Sequence, residues 1–218
     1  MKALIGGASG FTGGKLVKRL VADDTYTKVI ALVRKEIDLK HPKLIQIKVD
    51  FDHLSLDDVP DCVDVAFCCL GTTIRKAQTK QNFRKVDYEY IIRFAKICEK
   101  CCVKDFHLIS AIGASTESYF FYQRVKGEAE SFINSLDFES VVIYRPSVIY
   151  GGRLEFRLFE SFAAWISRNF KFLFVGRLNR ILAVTGDQLA KVIHQKSKQF
   201  IPGRWIVESE EISAIDYQ

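Results

Sequence analysis

A glycine-rich turn near the amino terminus is the first segment whose residue types and spacing could bind a ligand. Gly7, Gly10 and Gly13 follow an apolar, strand-like run and precede a run with helical spacing. Glycines let the backbone approach a pyrophosphate, and a helix that begins there directs free N–H groups at the phosphates. Ala8 stands where the usual fingerprint has glycine. The spacing predicts a nucleotide-binding turn, and the alternative is an ordinary glycine-rich loop between a strand and a helix.

Two cations end the second apolar run, about 20 residues past the first strand, where dinucleotide-binding folds contact the adenosine ribose. Arg34 and Lys35 supply positive charge at this point. A guanidinium can bind a phosphate through two parallel hydrogen bonds, so the pair favours a 2′-phosphate and NADP(H) over NAD(H). Glu36 could instead serve a ribose hydroxyl, and a solvated strand end is the further alternative.

A tyrosine and a lysine four residues apart form the third candidate for chemistry. Tyr122 and Lys126 lie in a segment with helical spacing, so they share one helix face. A nearby ammonium favours the phenolate and is expected to lower the tyrosine pKa. Such a tyrosine can exchange a proton with a carbonyl or an alcohol while a hydride moves. Chance pairs with this spacing are common, and the position after a nucleotide-binding turn is what makes this one informative.

The elements that must position these residues alternate between strands and helices. Nearly continuous hydrophobic runs are typical of strands buried on both faces, and short strand–helix alternation implies right-handed crossovers. The sequence therefore predicts an α/β protein with a doubly wound parallel sheet, the Rossmann fold, whose ligands bind at the carboxyl ends of the strands. The strand-like runs are 2–6, 28–33, 44–49, 63–69, 106–110 and 141–144, and the helical segments are 15–21, 83–98 and 122–136.

The pattern changes after residue 150. Residues 1–150 are interpreted as the NADP-binding core, and 151–218 as a small substrate-side lobe packed on it within a single domain. The lobe is expected to contain a helix at 154–168, a strand at 181–184, a helix that Asp187 could cap, and a last strand at 204–207. Aromatic residues between 156 and 174 could form core packing, an apolar substrate pocket, a dimer face or a lipid-contacting lid.

Composition excludes several other classes of protein. The chain has 218 residues and a net charge of +6, which is too small for a dedicated nucleic-acid binder but compatible with small anionic ligands. No apolar run approaches the roughly 18 residues of a membrane span, and no signal-peptide pattern is present, so a cytoplasmic protein is expected. Cys98 and Cys101 lack a second pair to complete a metal site, and no metal is expected.

Several segments together resemble the short-chain dehydrogenase/reductase superfamily. Within it they are most similar to the atypical branch of Tat-interactive oxidoreductase-like proteins and their bacterial relatives. The resemblance runs from residue 1 to about 150 and more faintly beyond. The segments that carry it are 7–13, 68–73, 83–87, 122–130 and 144–146.

The resemblance implies a role for each candidate residue. Residues 9–12 would contact the cofactor phosphates, Asp50 would approach the adenine, and residues 146–148 would line the nicotinamide end. Tyr122 would be the general acid/base, and Lys126 would hold the nicotinamide ribose. The implied cofactor-binding residues are Gly7, Ser9, Gly10, Phe11, Thr12, Gly13, Arg34, Lys35, Asp50, Leu70, Gly71, Tyr122, Lys126, Pro146 and Val148.

One departure from the superfamily pattern concerns the hydroxyl that would hydrogen-bond the substrate carbonyl. Relatives with a Ser-Ser pair after the fifth strand use the second serine, and Ala111 stands at that position. Ser110 is the first candidate replacement and Ser115 the second. An oxyanion donor contributes a few kcal/mol to catalysis, so turnover is in more doubt than cofactor binding if the donor is lost. Two hypotheses therefore stay open. They are an NADP(H)-dependent oxidoreductase acting on a carbonyl or alcohol, and an NADPH-sensing regulatory protein with little turnover.

Three further questions stay open at this stage. A nucleotide-sugar epimerase is a third hypothesis, and the short segment after residue 150 disfavours it. A homodimer or a protein partner is compatible with the sequence. The small-molecule substrate is not identified.

Overall fold

A single parallel sheet organises the chain. The computed structural model describes residues 1–59, 63–150 and 184–214. Within these ranges a seven-stranded sheet has the order β3-β2-β1-β4-β5-β6-β9, and every neighbouring pair is parallel. This confirms the doubly wound parallel sheet. The strands are β1 (Lys2–Gly6), β2 (Lys28–Val33), β3 (Leu44–Lys48), β4 (Val65–Cys68), β5 (Asp105–Ile109), β6 (Ser140–Arg145), the short parallel pair β7 (Ile149–Tyr150) and β8 (Val184–Thr185), and β9 (Gly203–Glu208).

Helices connect the strands and cover both faces of the sheet. The segment predicted as one helix at 83–98 is divided by a π-helical turn at Lys85–Glu89, which separates two α-helices. The 3.6-residue periodicity of the apolar side chains gives no sign of this turn, because Phe83 and Phe94 are both buried on either side of it. The helices are α1 (Phe11–Ala22), α2 (Ile74–Ala77), α3 (Lys80–Arg84), α4 (Tyr90–Lys100), α5 (Phe121–Asn134), α6 (Gly186–Lys196) and α7 (Ser209–Ala214).

Alternation along each strand explains why the strand sequences are apolar throughout. In β1, Leu4 packs into a core cluster that contains Phe94 of α4, whereas Ile5 packs into a second cluster that contains Leu16 of α1. Successive side chains of a strand point to opposite faces, so a strand covered by helices on both sides needs apolar residues at every position. The two clusters are therefore the two faces of one sheet.

The elements after residue 183 join this architecture. Strand β9 extends the sheet beside β6, and Leu189 and Ile193 of α6 share the buried cluster of α1. Helix α6 begins at Gly186, and its cap is Thr185 rather than the predicted Asp187. The Thr185 hydroxyl accepts a hydrogen bond from the Gln188 N–H at 3.0 Å, a geometry that the residue before the helix can adopt. Asp187 instead pairs with Arg19 at 2.7 Å.

The expected substrate-side lobe stays a prediction. Its aromatic helix at 154–168 and the dense aromatic stretch up to 174 lie outside the described residues.

Strand order reverses beside β1, and this position defines a crevice. Strands β2 and β3 lie on one side of β1, and β4, β5, β6 and β9 lie on the other. In parallel sheets of this kind, ligands bind outside the carboxyl ends of the strands at such a switch point. The segments that follow β1 and β4 therefore border the expected binding crevice.

Candidate functional site

The glycine-rich turn is folded tightly against the end of β4. Gly7 has a φ of +87°, and a Cβ there would lie 2.4 Å from the Cys69 carbonyl oxygen. A Cβ on Gly13 would lie 2.2 Å from the Gly7 carbonyl oxygen. The Gly10 N–H donates to that same oxygen at 2.9 Å. Side chains at positions 7 and 13 would therefore collide with backbone, which explains two of the three glycines by packing alone.

The first turn of α1 faces this crevice without a side-chain cap. Gly10 is the residue before the helix and caps it with no side chain, and the first turn carries no acidic residue. The first N–H groups of a helix need partners from outside the helix, and they carry partial positive charge. Within the described residues, this end of α1 therefore has the properties of an anion-binding site.

A groove runs from the turn across the ends of β2 and β4. Gly7, Ser9, Gly10, Arg34, Leu70 and Gly71 all line it, so the structure brings six predicted residues together. The other lining residues are Leu32, Val33, Phe51, Cys69, Val86 and Tyr90.

None of those six other lining residues was predicted as a site residue from the sequence, and Phe51, Val86 and Tyr90 are the three that lie away from the ends of β2 and β4. Phe51 follows β3 and stacks at a tilt on Tyr90, with ring centroids 5.7 Å apart. Val86 belongs to the π-helical turn, and Tyr90 begins α4. The helical spacing of Val86 and Tyr90 with Phe83 and Phe94 indicated an apolar face, but the same pattern is expected of plain core packing.

The predicted ribose and adenine residues lie in different surroundings. Arg34 is exposed and lines the groove, whereas Lys35 and Glu36 are exposed beyond it. Asp50 does not line the groove: its carboxylate contacts His53 Nδ1 at 2.8 Å and accepts the Asp52 N–H at 2.9 Å. The neighbouring Phe51 occupies the groove wall instead.

The Tyr122 and Lys126 side chains occupy one face of α5. The Tyr122 ring packs on Phe83, with centroids 5.3 Å apart. Lys126 is 5% exposed, and its Nζ lies 2.8 Å from Oδ1 of Asp87 in the π-helical turn. The other carboxylate oxygen of Asp87 accepts the Thr72 N–H at 2.8 Å. A buried ion pair therefore joins α5 to the segment after β4, next to Gly71 of the groove.

These charges determine the ionisation of the tyrosine. Burial raises the pKa of Tyr122, Lys126 lowers it, and Asp87 raises it, so the pKa ends above its ordinary value. The expected lowering by Lys126 is real but is outweighed, and the prediction of a lowered pKa is wrong. Burial lowers the pKa of Lys126, but Asp87 and Tyr122 together raise it by more. The pKa therefore ends above its ordinary value, and the ammonium stays charged.

The hydroxyl groups near the end of β5 differ in their freedom to bind a ligand. Ser110 is 5% exposed, and its Oγ has no hydrogen-bond partner among the described residues. Ser115 is exposed, and its Oγ accepts the Glu117 N–H at 3.2 Å. Ala111 is buried and contributes no hydroxyl. Because a buried hydroxyl without a partner is costly, Ser110 is the better candidate for a substrate contact.

The remaining predicted residues do not line the groove. Phe11 packs against the start of α6, where a Cβ on Gly186 would meet the Phe11 ring at 2.2 Å. Thr12 is buried in the first turn of α1. The carbonyls of Pro146 and Val148 accept the N–H groups of Ile112 and Val184, at 3.0 and 2.9 Å.

The Cys98-x-x-Cys101 spacing gives no sign of redox or metal chemistry. The Cys98 thiol is fully buried, and burial raises its pKa well above the ordinary value. In 1–59, 63–150 and 184–214, no group of three His, Cys, Asp or Glu side chains could hold a metal ion.

The sheet order, the uncapped glycine turn at its switch point and the adjoining groove define a dinucleotide-binding Rossmann protein. A family model described as NAD(P)H-binding matches residues 7–147, and the chain belongs to this family. HTATIP2 from Rattus norvegicus is 35% identical over 170 residues, which cover 75% of this chain and 67% of that protein. The predicted resemblance to the Tat-interactive branch of short-chain dehydrogenases/reductases is thereby confirmed.

Two further comparisons extend and correct the picture. FMP52 from Eremothecium gossypii is 33% identical over 196 residues, covering 88% of this chain and 86% of that protein. Its name describes it as mitochondrial, and this finding contradicts the cytoplasmic location expected from the sequence. The structure of MoeE5 in complex with UDP-glucose and NAD has a TM-score of 0.70 at 15% identity, covers 95% of this chain and 75% of that one, and shares the fold. No helix in the described part of this chain is long and apolar enough to cross a bilayer.

Proposed function

We propose that this protein is an NADP(H)-dependent oxidoreductase that acts on a carbonyl or an alcohol. The family supports a nicotinamide dinucleotide as cofactor, and the residues of the groove fit one. The uncapped start of α1 offers N–H groups to the pyrophosphate, and Gly10, the residue before the helix, carries no side chain that could block a phosphate. Leu32, Phe51 and Leu70 supply apolar walls for the adenosine half.

Arg34 is the residue that supports NADP(H) over NAD(H). It lines the groove beside the end of β2, where an adenosine 2′-phosphate would lie in this fold. Lys35 adds charge outside the groove, and Glu36, which would favour a free 2′-hydroxyl, does not line the groove. The Arg34 guanidinium suits direct contact with a phosphate, because it can donate two parallel hydrogen bonds.

The single observation that carries the catalytic part of the proposal is the buried Lys126 beside Tyr122. The bound nicotinamide would supply or accept the hydride. Because its pKa is raised, Tyr122 is a protonated phenol at neutral pH and can donate its proton to a carbonyl oxygen. The Lys126 ammonium would bind the ribose hydroxyls and stabilise the phenolate that forms. The Ser110 hydroxyl, which has no hydrogen-bond partner in the part of the chain that the structure describes, would donate to the same carbonyl oxygen.

Replacement of the phenol tests this assignment. We expect Tyr122→Phe to keep NADPH affinity within a few-fold, because the ring and Lys126 remain. Turnover should fall by about a hundredfold or more, the usual effect of losing a general acid. The measurement is NADPH absorbance with a panel of aldehydes, ketones and quinones.

The matched control for this experiment is Tyr119→Phe. Tyr119 lies three residues earlier and is 92% exposed, so its hydroxyl has no place in the proposed site. The control should leave turnover unchanged. Equal activity of Tyr122→Phe and the starting protein would show that another group transfers the proton.

A regulatory protein that binds NADPH without turnover is the second candidate function. The observation in its favour is Ala111, which is buried at the end of β5 where the resemblance calls for a hydroxyl. Under this alternative, Tyr122 and Lys126 would only hold the cofactor ribose. Tight NADPH binding, no oxidation with any member of the panel, and an unchanged Tyr122→Phe variant would together favour it.

A further inference from the structure

Asp87 is a fully buried carboxylate that the sequence analysis did not select. It lies in the middle of the π-helical turn between α3 and α4 and has 0% exposure. A buried carboxylate is costly unless it is paired and hydrogen-bonded, and π-helical turns are frequent at functional sites. Its position therefore requires an explanation that packing does not supply.

Both oxygens of this carboxylate contact groups around the groove. Oδ1 lies 2.8 Å from the Lys126 ammonium, and Oδ2 accepts the Thr72 N–H at 2.8 Å. Thr72 follows Gly71, whose Cβ, if present, would lie 3.3 Å from Oδ1 and 3.7 Å from the lysine nitrogen. Asp87 thus connects the ammonium of α5 to the groove wall formed after β4.

We propose that Asp87 is a positioning residue, which holds the Lys126 ammonium against the groove wall and balances its buried charge. The inference rests on the proposed function, because it assigns Lys126 and Tyr122 their roles. It adds that the position of Lys126 depends on a third side chain, which comes from the π-helical turn.

The charges around Tyr122 support this role. Helix α5 contributes Lys126, the π-helical turn contributes Asp87, and β4 contributes the Cys68 thiol, whose pKa burial raises to about 12. The thiol is therefore neutral, and the ammonium and the carboxylate compensate each other. Arg84 and Glu128 on the neighbouring surface form a separate pair. Loss of Asp87 alone would leave one buried positive charge beside the phenol, and that charge favours the phenolate.

The variant that separates charge from shape is Asp87→Asn. Its amide oxygen can still accept the Thr72 N–H, whereas the negative charge is lost. We expect NADPH binding, measured by calorimetry, to weaken about tenfold. This is the lower end of the range of effects seen when a partner that orients a binding group is lost. Tyrosinate absorbance, taken as the difference from the same protein carrying Tyr122→Phe, should show Tyr122 ionising about one pH unit lower.

The matched control is Glu128→Gln. Glu128 lies two residues after Lys126 on α5 and pairs with Arg84 of α3, so the control removes one negative charge from a pair that joins neighbouring segments. That pair is partly exposed, and the control should change neither NADPH affinity nor the Tyr122 titration. If Glu128→Gln gave the same shifts as Asp87→Asn, the effect would be a general one and the inference would be overturned.

A second comparison keeps the test decisive if Asp87→Asn does not fold. Lys126→Met and the double variant Asp87→Asn/Lys126→Met leave no unpaired ammonium. Removing Asp87 in this background should not change NADPH affinity, because no ammonium remains to be held.

The outcomes distinguish this inference from the function on which it rests. A starting protein that binds neither NADPH nor NADH overturns the proposed function and the inference with it. Normal NADPH binding by the starting protein, with either readout unchanged in folded Asp87→Asn, overturns the inference alone.

Discussion

Arg34 and Lys35 differ in their relation to the groove although they are neighbours in sequence. Arg34 lines the groove at the end of β2, and Lys35 is exposed outside it. A cation that contacts a phosphate directly contributes more to the binding affinity than one that acts through solvent. The preference for the 2′-phosphate is therefore expected to depend mainly on the guanidinium.

Cofactor preference follows from these two residues. We predict that NADPH binds at least tenfold more tightly than NADH, which corresponds to about 1.4 kcal/mol. Arg34→Ala/Lys35→Ala should abolish that ratio, and Arg34→Ala alone should remove most of it. Calorimetric titration of both cofactors measures the ratio. Lys40→Ala is the control, because Lys40 is exposed in the same loop and does not line the groove. Equal affinities in the starting protein would contradict the assignment.

At the scale of elements, the glycine-rich turn shows that glycines in one motif have different tasks. Gly7 and Gly13 make room for backbone within the turn, as their 2.4 and 2.2 Å distances indicate. Gly10 has an extended backbone that any residue can adopt, with φ −77° and ψ 168°. A side chain at position 10 would therefore strain no backbone angle, although its Cβ would lie 3.0 Å from the Gly7 carbonyl oxygen, and it would stand in front of the first N–H groups of α1.

Substitutions at two of these glycines should consequently fail in different ways. We predict that Gly10→Val abolishes NADPH binding while the protein stays folded. Gly13→Val should lower the free energy of unfolding sharply, because its side chain would collide with the Gly7 carbonyl oxygen. Denaturant unfolding and NADPH titration of both variants separate the two effects. Retained NADPH affinity in Gly10→Val would mean that the cofactor binds elsewhere.

The strands and most helices could be predicted because burial on both sheet faces imposes a continuous apolar pattern. The runs at 2–6 and 28–33 match β1 and β2 residue for residue. The cap of α6 was misassigned because Thr185 and Asp187 are both good cap residues, and only the backbone decides between them. Hydrophobic periodicity alone cannot locate the capping residue of a helix to within two residues.

The site could be predicted only in part, for a related reason. Gly7, Gly10 and Arg34 belong to a motif whose spacing along the chain carries the information. Asp87 acts through Lys126, which is distant in sequence, and it lies in a π-helical turn that periodicity does not reveal. Burial, with a smaller contribution from Asp87, outweighs the lowering by Lys126, so the pKa of Tyr122 rises instead of falling. Sequence spacing identified the pair on α5 but not the charge that balances it.

At the scale of the whole molecule, a buried hydrogen bond joins two segments that lie 171 positions apart along the chain. Tyr26 lies before β2 with 0% exposure, and its hydroxyl lies 2.7 Å from Oγ of Ser197, at the end of α6. Ser197 donates to the His194 carbonyl at 3.0 Å, so the tyrosine is the donor to the serine. Burial raises the pKa of Tyr26 to about 12, which keeps that donor protonated.

Loss of this hydrogen bond should be visible in stability and not in cofactor binding. We predict that Tyr26→Phe lowers the free energy of unfolding by about 1 kcal/mol, the typical net value of such a bond. Ser197→Ala should cost a similar amount, and the double variant should cost less than the sum. Chemical denaturation measures all three proteins. Additive losses would show that the two hydroxyls do not interact, and weaker NADPH binding would show a link to the groove.

The pairing of β9 with β6 has a consequence for the order in which the chain folds. Arg145 of β6 is in register with Glu208 of β9, and the two residues are 63 positions apart. Closing so long a loop costs entropy before any contact compensates for it, so strand β9 is expected to dock late, after the rate-limiting barrier. Val207→Ala, which truncates a buried side chain of β9, should therefore accelerate unfolding and leave the refolding rate nearly unchanged in stopped-flow experiments. A slower refolding rate would instead place this strand in the nucleus, and the last strand of the sheet would be among the first to form.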